Sequence, residues 1–109
     1  MQQLQQYAER RITHSDLYCA VKNALQKSGW YVINHQSYRS ALVTCKGMAD
    51  MQAIKNGMSV WLEIKVGHDI QREDQKKFQQ AIEEHGGKYM IVRDIEDIIP
   101  MLEGYINWN

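Results

Sequence analysis

One segment of the chain alternates between hydrophobic and polar residues in the manner of a β-strand. From Val60 to Val66 every second residue is aliphatic, and Trp61, Glu63 and Lys65 occupy the positions between. Successive side chains of a strand point to opposite faces, so one face of this strand is apolar and the other carries two opposite charges. Taken alone, this pattern is typical of a sheet with one solvated face.

Helical spacing of apolar residues and the positions of turn residues predict the other elements. Helices are predicted over about 13–28 and 71–84, with a final helical segment that begins near 94 and restarts at Pro100. Further strands are predicted at 30–33, 48–54 and 89–92. The polar segment 34–46 matches no regular element, and part of it is interpreted as a loop over a binding surface. The order α-β-β-β-α-β-α predicts an α/β domain with a mixed sheet, because a strand that follows a crossover helix lies parallel to the strand before it.

The dipeptide Asn56-Gly57 predicts a two-residue hairpin turn between two strands of this sheet. With these residues in the turn, Asp50 faces Glu63 across the ladder, with Cβ atoms about 5 Å apart. A three-residue turn would break this register. Like charges in directly opposite positions are destabilising, whereas two converging carboxylates suit a hard divalent cation such as Mg²⁺. The turn therefore predicts a cation site between the two acids.

Lys65 adds a positive charge on the same face of the strand. Its ammonium group is expected to lie close enough to contact a water or a phosphate that the cation holds. A divalent cation that activates water, beside an ammonium group, is the arrangement needed to hydrolyse a phosphodiester. A purely structural interpretation stays open, in which Asp50 begins a strand after Gly47 and Glu63 pairs with Lys65 or another basic neighbour.

Composition limits the size and class of the protein. The chain has 109 residues, of which 44% are hydrophobic, with 13 basic and 13 acidic side chains. These values predict one domain over 1–109 with a modest core, in which 1–12 form a short helix or a frayed extension. No apolar run approaches the roughly 20 residues of a membrane span and no signal-peptide pattern opens the chain, so no membrane partner is expected. Because the charges balance, a nucleic-acid partner requires basic residues gathered on one side.

The cysteines and histidines show no metal-binding pattern. Cys19 and Cys45 form neither a disulfide nor a metal framework by spacing, which favours a reducing cytoplasm. The four histidines also lie at no recognisable ligand spacing; they are His14, His35, His68 and His85. A Cys/His zinc site is therefore not expected.

Three short motifs follow one another along the chain: Gly47-Met-Ala-Asp50, then Glu63-Ile-Lys65, then Gln75 on the next predicted helix. Together they resemble the PD-(D/E)xK nuclease superfamily, and most of all its VRR-NUC branch, the virus-type replication-repair nuclease domain. The resemblance implies a restriction-endonuclease-like αβββαβ core. It also implies that Asp50, Glu63 and the Ile64 carbonyl bind Mg²⁺ or Mn²⁺, that Lys65 is catalytic and that Gln75 faces the site.

The helical stripe of the second long helix agrees with an inward-facing glutamine. Gln75 shares this stripe with Phe78 and Ile82, so its amide is predicted to point toward the sheet. An ordinary polar residue in the first helical turn is an equally open interpretation.

Two positions depart from the family pattern. Ala49 stands where the family usually has proline, a residue that shapes the backbone and carries no chemistry. The family's first helix usually supplies a glutamate to the metal, and the matching position here holds Asp16, which is one methylene shorter and would reach the metal through water. Asp16 is equally explained as an acid favoured at a helix N-terminus. Glu9 is a second acid that stands upstream of this helix.

The resemblance implies a metal-dependent DNA endonuclease. Stand-alone domains of this branch resemble Holliday-junction resolvases, which implies branched DNA as substrate, a homodimer, and DNA repair or recombination in the cytoplasm of a bacterial or phage-infected cell. The candidate contacts to the DNA backbone are Arg39, Lys46, Arg72 and Lys76, although each alone is also typical of a solvated surface charge. The alternative function is a catalytically silent module that binds nucleic acid or protein, which the balanced charge and Asp16 both favour.

Overall fold

A computed structural model describes residues 12–35 and 45–104 of the chain. The elements are α1 (His14–Lys27), β1 (Tyr31–Asn34), β2 (Met51–Lys55), β3 (Met58–Ile64), α2 (Glu73–Glu84), β4 (Lys88–Val92), a 3₁₀ helix (Ile95–Ile98) and α3 (Ile99–Glu103). The four strands form one sheet in the order β1-β2-β3-β4, antiparallel except that β4 runs parallel to β3. The predicted α/β class, element order and mixed sheet are confirmed.

The hairpin between β2 and β3 has the predicted turn and register. Asn56 and Gly57 both have positive φ, at 50° and 80°, as a two-residue type I′ turn requires. Across the ladder Lys55 pairs with Met58, and Met51 pairs with Leu62. Asp50 precedes Met51 and Glu63 follows Leu62, and these are the two acids that the turn predicts to face each other.

Helices cover both faces of the sheet. On one face the buried aliphatic side chains of β2 and β3 pack against α1, the 3₁₀ helix and α3 in a core that includes Val21, Leu62 and Met101. On the other face Trp61 and Tyr89 pack with Phe78 of α2 in a smaller core. The face that β3 alone predicts to be solvated is therefore covered, and that interpretation of the isolated strand is wrong.

The strand β2 begins later than predicted, at Met51 instead of residue 48. The cause lies at Gly47, which has a φ of 80°, and where a Cβ atom would stand only 2.2 Å from the carbonyl oxygen of Asp74. The backbone here bends in a left-handed conformation against the first turn of α2, which a regular strand excludes. Met48 and Ala49 then pack into the smaller core instead of the ladder. This contact ties the start of β2 to the start of α2.

Several predictions fall outside the described residues. These are residues 1–11 of the predicted N-terminal extension, Glu9 within it, and Arg39 with most of the 34–46 segment. Within the described ranges, none of the helices combines the length and the hydropathy needed to cross a membrane.

Candidate functional site

A pocket of about 600 Å³ opens at the end of the sheet where β2 begins and β3 ends. It gathers residues from α1, from the position just before β2, from the end of β3 and the loop that follows it, and from α2. The residues that line it are His14, Asp50, Ile64, Lys65, Asp69, Ile70, Arg72 and Gln75. Five of these eight are site residues predicted from the sequence.

Asp50 is fixed against the end of β3. Its Oδ2 atom accepts a hydrogen bond of 2.7 Å from the backbone N–H of Ile64, and its own carbonyl oxygen accepts one of 3.0 Å from the N–H of His35. The His14 Nε2 atom lies 3.3 Å from the same Oδ2. The Asp50 carboxylate is therefore held at the pocket wall by Ile64 and His14, and its backbone is held by His35.

Glu63 is fully buried, and its two carboxylate oxygens have different surroundings. Oε1 accepts a 2.6 Å hydrogen bond from the Tyr89 hydroxyl. Oε2 lies 3.9 Å from the Lys65 ammonium and has no hydrogen-bond donor in the described part of the chain. Burial, and then the hydrogen bond to Glu63, raise the pKa of Tyr89 well above its usual value, so the phenol stays protonated and acts as a donor.

Gln75 links Lys65 to the start of α2. Its Oε1 atom accepts a 3.0 Å hydrogen bond from the Lys65 ammonium and a 2.9 Å hydrogen bond from the backbone N–H of Arg72, which precedes the helix. Lys65 itself is only 8% exposed. The amide thus points inward and holds the ammonium group at the pocket wall while it caps the helix.

These residues fit a hard divalent cation. Among residues 12–35 and 45–104, no three His, Cys, Asp or Glu side chains converge as a metal-binding group. Mg²⁺ takes only one or two carboxylates in many proteins and keeps several waters, so Asp50, Glu63 and the Ile64 carbonyl would be enough protein ligands for it. A buried polar atom without a partner costs about 1–3 kcal/mol, and more if it is charged. The Glu63 Oε2 atom is in this position, and a cation would satisfy it.

Asp16 lies apart from the pocket lining. It is exposed and forms a capping box with Thr13, whose Oγ1 accepts from the Asp16 N–H at 3.0 Å, while Asp16 Oδ2 lies 3.4 Å from the Thr13 N–H. This geometry matches the interpretation of Asp16 as an acid that stabilises the start of α1.

Asp16→Ala separates the two roles of this acid. We expect the variant to lose about 0.5 kcal/mol of stability, the value of a charge at a helix terminus, and to show the same change in melting temperature on addition of Mn²⁺ as the wild type. Thermal denaturation with and without Mn²⁺ measures both quantities. A metal-induced rise that disappears in this variant would show that Asp16 binds the cation.

The candidate DNA contacts differ in their placement. Arg72 lines the pocket, and its Nε atom lies 3.3 Å from Asp74 Oδ1. Lys76 lies outside the pocket and forms a 3.2 Å ion pair with Glu73. Lys46 is exposed on the segment before β2. Of these three, Arg72 is the residue best placed to contact a phosphate at the pocket.

Four residues at the site were not predicted as site residues from the sequence: the pocket-lining His14, Asp69 and Ile70, and the buried Tyr89. His14 lies on the helical stripe that also carries Tyr18 and Val21, and extending that stripe by one turn toward the N-terminus would have found it. Tyr89 was assigned only to a strand buried on both faces. Its contact with Glu63 depends on the register between β3 and β4, for which the sequence carries no local signal.

Comparison with known proteins identifies the fold. No family model matches the sequence, and no curated protein matches it either. A solved structure described as a VRR_NUC domain superimposes with a TM-score of 0.65 and 15% sequence identity, over 85% of this chain and 97% of that chain. At 15% identity the similarity shows the fold alone. The protein therefore has the VRR-NUC fold.

Proposed function

We propose that this protein is a DNA endonuclease that hydrolyses phosphodiester bonds with the help of Mg²⁺ or Mn²⁺. One observation carries the proposal: a single pocket is lined by Asp50, Lys65 and Gln75, and Glu63 is buried within 3.9 Å of the lysine. The VRR-NUC fold supports a nucleic-acid partner. Fold alone is a limited warrant for function, so the chemistry rests on these side chains.

The pocket residues divide the work of hydrolysis among them. Asp50, Glu63 and the Ile64 carbonyl would hold the cation, which when bound neutralises phosphate charge and lowers the pKa of water. Water, after losing a proton to solvent, attacks phosphorus; the bond from phosphorus to one sugar oxygen breaks, and that oxygen takes up a proton from solvent and leaves as a hydroxyl group. The Lys65 ammonium, anchored by Gln75, donates to the attacking water or to a phosphate oxygen and offsets the negative charge that develops there.

We extend the proposal to branched DNA and to a homodimer. The chain is small and carries equal numbers of acidic and basic side chains, so one copy offers little electrostatic attraction for DNA. Two copies related by a two-fold axis double the contact area and present two pockets to two strands. Arg72 at the rim of each pocket would bind a phosphate next to the scissile one.

A catalytically silent module that binds nucleic acid or protein is the second candidate. The position of Asp16 favours it, because this acid caps α1 and does not line the pocket. The near-complete burial of Glu63 and Lys65 favours it as well, since a buried pair of opposite charges can stabilise the fold without taking part in catalysis.

Cleavage of a panel of DNA structures separates the two functions. Purified protein is incubated with a labelled four-way junction, a flap and a linear duplex, with and without Mg²⁺. We expect Mg²⁺-dependent cleavage with the four-way junction preferred. Lys65→Ala should cut at least about 100-fold more slowly, which corresponds to about 2.7 kcal/mol of transition-state stabilisation.

Metal binding without DNA provides the matching control. We expect Mn²⁺ to raise the melting temperature of both the wild type and Lys65→Ala, because a ligand specific to the native state stabilises it. Absence of both cleavage and a metal-induced rise in the wild type would favour the silent module. Light scattering of the purified protein measures whether the chain is a dimer.

A further inference from the structure

Tyr89 contacts the site from β4, a strand that contains none of the site residues predicted from the sequence. In the parallel ladder Tyr89 pairs with Trp61, so its side chain lies on the same face of the sheet as Glu63. Its hydroxyl donates a 2.6 Å hydrogen bond to Glu63 Oε1. This bond joins two buried side chains, and its acceptor is a carboxylate that would bind the cation.

We propose that Tyr89 is a positioning residue of the cation site, which holds Glu63 by Oε1 and so presents Oε2 to the divalent ion. The inference rests on the proposed function, because it assigns a role within the same site. Oε1 has a short, strong donor, whereas Oε2 is buried without a donor in the described part of the chain. The two oxygens of Glu63 therefore already differ in their hydrogen bonding when no ion is bound.

The Tyr89 ring is itself fixed by its neighbours. Gln71 Nε2 lies 3.4 Å from the Tyr89 hydroxyl and 2.8 Å from Gln79 Oε1, which ties the phenol to α2. Its ring centroid lies 6.2 Å from that of Phe78. A ligand carboxylate oriented by a rigid hydrogen-bond donor loses less rotational freedom when the metal binds, and such outer partners typically change metal affinity by 10- to 100-fold.

The test is the affinity for Mn²⁺ alone, measured by calorimetry on the full chain. Tyr89→Phe removes the hydroxyl and keeps the ring. We expect its dissociation constant for Mn²⁺ to rise by at least about 10-fold. An unchanged or lower dissociation constant would overturn the inference, because an undirected Glu63 would then bind the ion equally well.

Tyr18→Phe is the matched control. Tyr18 and Tyr89 are each 6% exposed, and the Tyr18 hydroxyl has no hydrogen-bond partner among the described residues. Burial and the nearby Asp50 carboxylate raise the pKa of Tyr18 to about 12, so it too is a protonated phenol close to a ligand acid. We expect this variant to bind Mn²⁺ like the wild type, and an equal loss in both variants would count against a specific role for Tyr89.

A kinetic readout distinguishes positioning from general damage to the fold. In DNA cleavage, Tyr89→Phe should raise the Mn²⁺ concentration needed for half-maximal activity and leave the KM for DNA unchanged. A parallel rise in both quantities would indicate a distorted pocket and would contradict the inference.

A measurement on the wild type covers the case in which Tyr89→Phe does not fold. In protein with isotope-labelled tyrosine rings, substoichiometric Mn²⁺ should broaden the Tyr89 signal before that of Tyr31, which is exposed on β1. Broadening of Tyr31 first would overturn the inference. If the wild type binds no Mn²⁺ at all, the proposed function fails too; if it binds and Tyr89→Phe binds equally, this inference alone fails.

Discussion

Glu63→Gln should abolish DNA cleavage and remove the rise in melting temperature that we expect on addition of Mn²⁺. Glutamine keeps the shape of the side chain and an oxygen that accepts from the Tyr89 hydroxyl, but it loses the charge that would bind the cation. A bound metal supplies several kcal/mol of transition-state stabilisation, and about 4 kcal/mol corresponds to about a 1,000-fold change in rate. We therefore expect cleavage to fall by at least about 1,000-fold.

The metal-free stability of this variant gives a second readout. Glu63 is fully buried, and its contact with the Lys65 ammonium spans 3.9 Å. Removing one partner of a buried ion pair costs about 3–5 kcal/mol when the pair is close, but here the contact is long and the Lys65 ammonium keeps its hydrogen bond to Gln75 Oε1, so we expect a smaller effect. Urea denaturation in EDTA should place the variant within about 1 kcal/mol of the wild type.

Glu73→Gln is the control for this prediction. Glu73 is an exposed acid on α2 that pairs with Lys76, so the same change in charge occurs away from the pocket. It should cleave DNA and bind Mn²⁺ like the wild type. Cleavage by Glu63→Gln at a rate near that of Glu73→Gln would remove Glu63 from the site.

Gly47→Ala should destabilise the protein by several kcal/mol. An added Cβ would stand 2.2 Å from the Asp74 carbonyl oxygen and 2.4 Å from its carbonyl carbon, both backbone atoms that cannot rotate away. The residue also has a φ of 80°, which costs a non-glycine residue about 1–2 kcal/mol, and overpacking adds about 1–3 kcal/mol. To relieve the clash, β2 and α2 must move apart.

Gly86→Ala isolates the steric part of this effect. Gly86 has the same φ of 80°, and a Cβ atom there meets nothing within 4 Å. Both variants therefore carry the same backbone strain, and only Gly47→Ala carries the clash. Urea denaturation should show a difference of about 2 kcal/mol or more between them. Equal stability of the two variants would mean that the contact between Gly47 and α2 is easily relaxed.

The hairpin could be predicted from the sequence because a local signal determines it. Asn56 and Gly57 accept the positive φ angles of a two-residue turn, and the turn then sets every pair in the ladder between β2 and β3. The position of Asp50 relative to Glu63 follows from this register without knowledge of the rest of the fold. Strand alternation likewise assigned Glu63 and Lys65 to one face.

Other features depend on contacts between elements that are distant in sequence. Whether the charged face of β3 is exposed to solvent or buried depends on where α2 packs, and the sequence of β3 carries no information on this. The contact between Tyr89 and Glu63 depends on a parallel register that no turn determines, since a helix separates the two strands. The late start of β2 depends on the backbone approach of Gly47 to Asp74.

One acceptor atom serves two purposes in this molecule, since Gln75 Oε1 receives hydrogen bonds from both the Arg72 N–H and the Lys65 ammonium. Fraying of the first turn of α2 that displaces Gln75 would therefore also remove the hydrogen bond that holds the Lys65 ammonium. Helix ends open at a lower free energy than the whole domain. Moderate heating should therefore release the Lys65 ammonium from Gln75 while most of the sheet remains folded.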